Sequence, residues 1–187
     1  MPHPRPTAEQ AKADTQAWLE RAVIGLNLCP FAKAVHVKGQ VRYAVNADTD
    51  SAKLLDALVY ELKYLAAADP VSIDTTLLIA THCLDDFLDF NDFLDHADLA
   101  LDELGLEGTL QIASFHPDYQ FAGTKADDIT NYTNRSPYPT LHLIREASIA
   151  RAVEAFPNPE AIFDTNMQNL KDLGLDGWKA LDVGPHL

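Results

Sequence analysis

Apolar side chains recur along this chain at two periods, and the switches between them mark out the elements. Trp18, Leu19, Ala22 and Val23 stand at helical spacing in a segment from Thr7 or Ala8 to about Leu26. Pro30 suits the first turn of a short second helix, Pro30 to Val35, where its missing N–H costs nothing. Val41, Tyr43 and Val45 fall on alternate positions, the pattern of a half-buried strand. Leu54, Leu55, Leu58, Val59, Leu62 and Leu65 form one stripe of a longer helix. Asp50 or Ser51 caps that helix, which runs to about Ala67 before Pro70 stops it.

The β-branched run from Ile73 to Thr81 predicts a buried strand. An acidic helix follows from Asp85 to Leu104, with Phe87, Leu88, Phe90, Leu94, Leu101 and Leu104 on its inner side and Gly105 at its end. Thr109 to Phe115 is a third strand. Ser136 to Phe156 reads as a helix, and Pro159 to about Leu173 as another, ended by Gly174. The middle of the chain is therefore β-α-β-α-β, whose connection lengths favour parallel strands and right-handed crossovers. The expected fold class is α/β: a small three-stranded, mostly parallel sheet with helices packed around it and further helices on its N- and C-terminal sides. A mixed sheet with one antiparallel strand is the alternative. Residues 1–7 carry three prolines and read as a disordered tip, with residues 8–187 as one globular domain.

Charge narrows the partners. The formal net charge is −14, and no Lys or Arg occurs from Tyr64 to Thr124. Asp92, Asp95 and Asp98 lie in the middle of that stretch. Such a surface repels phosphate backbones and anionic lipid, so neither nucleic acid nor membrane is an expected partner. It is a solvated helix face or a docking surface for a basic protein. No apolar stretch approaches the roughly 20 residues of a membrane span, and MPHPRPTAEQ lacks the apolar core of a signal peptide. Cys29 and Cys83 make no disulfide framework, so a cytoplasmic setting is expected.

Candidate chemistry concentrates between Ser114 and Glu146. A long connection rich in aromatics reads as an ordered site loop rather than a disordered one. If the three strands are parallel, their carboxyl ends share one edge, which brings Asn46 and Asp48, His82 and Cys83, and His116 and Asp118 together beside that loop. Ser136 fits a helix N-cap followed by Pro137, which makes an anion site beside Arg135. His142, Arg145 and Glu146 would share a face of that helix. Alternatively Arg135 and Arg145 pin the loop through Asp127, Asp128 or Glu146. Cys29 at the start of the Pro30 helix is a candidate nucleophile with His116 or His142 as base, or a buried apolar thiol. Cys29, Cys83, His82, His116 and Asp118 are acceptable zinc ligands but form no tight metal motif. No Gly-rich phosphate loop is present, and the sequence leaves any cofactor open.

The strings GLNLCPFAKAV (Gly25 to Val35), DFNDFL (Asp89 to Leu94), LQIASFHPDYQFAGT (Leu110 to Thr124) and NRSPYPTLHLIREASI (Asn134 to Ile149) resemble those of an uncharacterised bacterial family, domain-of-unknown-function family 1415. Ile144 stands where leucine is expected. The resemblance spans nearly the whole chain and implies one globular domain, with no activity or site residue to carry over.

The residues themselves point to a small enzyme acting on an anionic metabolite, a carboxylate or phosphate. Arg135, Ser136 and Arg145 would hold the anion, with His142 on the same helix face. His116 would be the general acid or base, oriented by Asp118, and Tyr119, Asn131 and Asn134 would shape the pocket. A transition-metal protein using the Cys and His groups and a non-catalytic module with an acidic docking helix are the alternatives.

Overall fold

The computed structural model describes residues 5–155 and 158–186. Helix α1 (Ala8–Trp18) is capped by the Thr7 hydroxyl and widens into a π-helical turn, Leu19–Ile24. The short α2 (Ala32–Val37) leads to strand β1 (Val41–Asn46). Helix α3 (Ser51–Ala67), capped by Asp50, precedes strand β2 (Thr75–Ala80). Helix α4 (Phe87–Glu103), capped by Asp86, precedes strand β3 (Leu110–Phe115). The long loop holds a 3-10 turn, Ile129–Asn134, and ends in strand β4 (Thr140–Arg145). Helices α5 (Glu146–Ala155) and α6 (Pro159–Ala180) follow, and Gly174 breaks α6 by adopting φ 65°.

The predicted strands are present, but the sheet has four strands in the order β1-β2-β4-β3. β1 pairs with β2 in parallel, and β4 pairs antiparallel with both β2 and β3. This corrects the expectation of a three-stranded, mostly parallel sheet. The extra strand comes from the segment read as the start of a helix over Ser136 to Phe156. Only its second half is helical, and Phe156 lies outside the described residues. The helix near Pro30 likewise begins later, at Ala32.

Side chains alternate across a strand, so β4 serves two cores. Leu141 and Leu143 join Leu78, Ala80 and Leu110 on one face. That face packs on Leu54, Leu58, Leu62 and Leu65 of α3 and on Phe90, Phe93 and Leu101 of α4. Each such buried side chain contributes about 1.5–3 kcal/mol. The opposite face carries Thr140, His142 and Ile144, in rows with Ile79, Leu77 and Thr75. Trp18 and the π-helical turn cover part of it, together with Ala11 and Tyr138.

Two polar tethers lock this arrangement. Arg145 is buried, and its Nη2 donates to the carbonyls of Leu65, Ala68 and Ile73 at 2.7, 2.9 and 3.0 Å. It thereby satisfies carbonyls around the C-terminus of α3, which a helix leaves unpaired. Asp14 of α1, also buried, accepts from the Tyr138 hydroxyl at 2.6 Å. The same carboxylate takes the His186 backbone N–H at 3.1 Å and meets His186 Nδ1 at 2.7 Å. Residues 5–7, assigned to the tip, are engaged: Arg5 pairs with Asp85 at 2.7 Å, Pro6 is buried and Thr7 caps α1.

Arg145→Leu removes the guanidinium donor from the Leu65, Ala68 and Ile73 carbonyls in a largely buried site. The expected cost is about 2–4 kcal/mol, seen as a lower urea midpoint with an unchanged slope in equilibrium unfolding.

Candidate functional site

β1, β2 and β3 point the same way, because β2 and β3 both oppose β4. Their carboxyl ends therefore do share an edge, but the groups there are occupied with one another. The Thr81 hydroxyl donates to the Asn46 carbonyl at 3.1 Å and meets His82 Nδ1 at 2.7 Å. Arg5 donates to the Thr81 carbonyl and forks onto Asp85. Burial pushes the Cys83 thiol up, and Asp85, Asp48 and Asp50 push it further, away from the thiolate that metal binding or attack requires. Among the described residues, no three His, Cys, Asp or Glu side chains are grouped to hold a metal ion.

His116 is fully buried between Phe87 and Phe90. Its Nδ1 accepts the Asp118 backbone N–H at 3.0 Å, so Nε2 carries the proton and donates to the Leu84 carbonyl at 3.0 Å. Desolvation lowers its pKa and keeps the ring neutral. Both nitrogens are spent, and it is the Asp118 backbone that orients the ring.

The other loop residues hold the loop itself. Asn131 accepts from the Phe121 N–H and the Thr124 hydroxyl and donates to the Lys125 carbonyl. Asn134 donates to the Ser114 carbonyl. Arg135 donates to the Tyr119 and Ala126 carbonyls and lies over the Tyr132 ring, with 4.3 Å between its guanidinium carbon and the ring centroid. Tyr119 packs on Phe87 and Phe121. Ser136 donates to the Tyr138 carbonyl and caps no helix, since β4 rather than a helix follows. The anion site expected at a helix N-terminus there has no helix to form it, and Arg145 lies on the far face of β4 from His142.

A different site emerges on the α1 face of the sheet. A cavity of about 210 Å³ opens beside the first residues of β1 and β2, the end opposite the shared carboxyl edge. Its floor is Val41, Thr75, Leu77, His142 and Ile144. Trp18, Leu19, Val23 and Phe115 form one wall, and Cys29, Phe31, Ala32 and Val35 another. Ile149, Ala152 and Val153 of α5 close over it. α5 runs straight out of β4 and buries none of its own residues, and its apolar Ile149, Ala152 and Val153 face this hollow. At the rim Asp74 ties α5 down: its Oδ1 accepts from the Ser148 hydroxyl at 2.7 Å and lies 3.8 Å from Arg151 Nη2.

A family model matches residues 10–180. The chain belongs to the family described as protein of unknown function (DUF1415). Comparison with curated proteins and with solved structures found no match. The matched span takes in all four strands and every residue of the cavity, so the hollow lies within the DUF1415 domain.

His142 is the polar group set into this floor. Its Nε2 lies 2.6 Å from the Thr75 hydroxyl, which also lies 2.7 Å from the Leu143 carbonyl. A carbonyl only accepts, so the single hydroxyl proton goes to Leu143 and Nε2–H donates to Thr75. Nδ1 is then an unprotonated acceptor. The ring is surrounded by protein yet keeps accessible surface, and that surface is cavity wall. Desolvation pushes its pKa down to about 4, leaving a neutral imidazole. Sequence reasoning named Cys29 and His142 and the structure puts both on this cavity, but it missed Asp74 and Thr75. The signal available was a polar Asp-Thr-Thr run opening an otherwise apolar strand.

Neutral burial of His142 has a pH consequence. The unfolded ring takes a proton near pH 6.5, whereas the folded one stays neutral down to about 4. The stabilisation is complete above 6.5 and is lost as pH falls, by about 3 kcal/mol once pH reaches 4; His116 acts in the same direction. Unfolding free energies measured in urea from pH 7 to 5 are expected to fall with acidity, and His142→Phe to flatten the slope.

Proposed function

We propose that this protein binds a small, mainly apolar molecule in the cavity between the sheet and helices α2 and α5. The observation that carries this reading is a hollow lined almost wholly by apolar side chains, into which one neutral histidine is set. Sites of this composition are the usual form of small-molecule pockets: apolar walls supply affinity and a few placed polar groups supply orientation. The volume exceeds the roughly 150 Å³ of an apolar cavity that takes benzene and falls short of the roughly 300–1,000 Å³ of drug-sized sites. One ring or a short branched chain matches it.

The anionic-metabolite reading draws less support. Arg135 and Arg145 direct their donors at backbone carbonyls, and among the described residues no Lys or Arg lines the cavity. The acidic face of α4 is solvated, with Asp92, Asp95 and Asp98 exposed, and charge alone supports its role as a docking surface. Cysteine chemistry on the bound molecule is the second reading, favoured because Cys29 and His142 line the same cavity. A neutral imidazole with a free acceptor nitrogen is able to take a thiol proton.

Toluene is the probe for the first reading. It is expected to shift the methyl resonances of Ile144, Ile149 and Ala152 selectively, and Ala152→Phe, which fills the cavity, is expected to abolish the shifts while the protein stays folded. Shifts spread over the surface, or persisting in the filled variant, count against the cavity. For the second reading, Cys29→Ser is expected to leave toluene binding within about two-fold, since one sulfur makes only a few of the contacts, while removing turnover of any substrate found.

A further inference from the structure

We infer that the molecule held in this cavity carries one hydrogen-bond donor on an aromatic body, as a phenol or benzylic alcohol does, and that His142 Nδ1 receives it. The inference rests on the cavity reading above and goes further by naming the ligand class.

The argument starts from the single hydroxyl proton of Thr75. Because it is committed to the Leu143 carbonyl, Thr75 imposes the Nε2–H form on His142, and the tautomer is fixed by a backbone group in the middle of the sheet. Nδ1 therefore presents a lone pair and no proton. Among the described residues, the sealed polar side-chain atoms without a partner are Tyr43 Oη, Thr76 Oγ1, Arg145 Nε and Asn166 Oδ1. Among the described residues Nδ1 has no partner either, yet it is absent from that set, so it retains accessible surface, and His142 lines the cavity. An acceptor opening on an apolar hollow recognises a donor, and a molecule lacking one leaves it unpaired at a cost.

The walls add the second criterion. Trp18, Phe31 and Phe115 line the cavity with His142; Phe115 lies 6.2 Å from the His142 ring and meets Trp18 edge-on at 5.1 Å between centroids. Aromatic edges and faces of this kind favour a flat ring as guest. The rim supplies the third. Asp74 is the carboxylate at the mouth, and the basic group near it, Arg151, is turned to that same carboxylate. An anion entering the hollow meets negative charge and finds no cation lining it. A neutral guest meets neither penalty.

The test has two parts. In the first, the wild-type protein is titrated with toluene, benzyl alcohol and benzylamine and followed by methyl shifts. Benzyl alcohol is expected to bind about five- to ten-fold more tightly than toluene, the worth of one net hydrogen bond, and His142→Phe to erase that preference while toluene still binds. Equal binding of toluene and benzyl alcohol overturns the inference and leaves the cavity reading standing. Binding of neither overturns both. Tighter binding of benzylamine overturns the inference too, because Asp74 would then set the ligand class. In the second part, nitrogen-15 spectra of the unliganded protein are expected to show Nε2 of His142 protonated and Nδ1 bare, and Thr75→Val to release that preference. The opposite tautomer in wild type overturns the inference whatever the variants do.

Discussion

The guanidinium of Arg145 ties the end of β4 to backbone carbonyls at and beyond the end of α3, and with that contact the register of the central strand is set. Side chains in a strand alternate, so a slip of one residue would turn the whole strand inside out. In the register observed, Leu141 and Leu143 fill the core under α3 and α4. Thr140, His142 and Ile144 face the other way. A polar residue in the middle of a sheet is costly unless its partners are also delivered there, and Thr75 sits two residues from Leu77, the direct partner of His142, as its diagonal neighbour on the same face. The cavity floor is thus a by-product of a pairing that one buried cation secures from the opposite face.

The two histidines of the β3–β4 region show how environment, rather than residue type, selects a functional candidate. His116 and His142 are both desolvated, and both are neutral for the same reason. They differ in what remains unspent. His116 sits at the turn after β3, where a neighbouring N–H and a carbonyl consume both nitrogens; it pins the loop to the Leu84 turn by hydrogen bonds, where Leu84 holds a positive φ of 60°. His142 keeps one nitrogen in reserve. An unpaired acceptor on a cavity wall is a standing cost to the folded state unless a ligand or water supplies the missing donor.

Much of the fold is legible from period and punctuation. α3 runs from its Asp50 cap to Ala67 as its leucine stripe implies, and Gly105 and Gly174 interrupt helices where glycine is expected to. The misreading at β4 has a physical cause. Thr140 to Leu143 alternates polar and apolar residues, but Ile144 and Arg145 break the alternation after only four positions, and the strand passes into α5 without a turn residue between them. His142, Arg145 and Glu146 then fall at helical spacing by accident. Pro137 and Pro139, read as first-turn residues, instead precede the strand, Pro137 within a bend. The site was half legible: residue chemistry singled out Cys29 and His142, but only the antiparallel insertion of β4 brings them to one hollow, and the arginines that looked like anion ligands answer a need of the backbone that no sequence pattern displays.

The Asp14 carboxylate joins parts of the chain made at very different times. It lies on α1, yet two of its partners belong to His186, 172 residues later, and the third is Tyr138. Val183 packs with Trp18 and Leu19 in the same region. A polypeptide emerging from the ribosome at roughly 5–20 residues per second therefore carries α1 for many seconds before the Asp14 carboxylate meets the last of these partners. The α1 face cannot be completed during synthesis of the sheet; it waits for residues 183–186. The two ends of this packed layer, α1 and residues 183–186, therefore reach their native contacts only together.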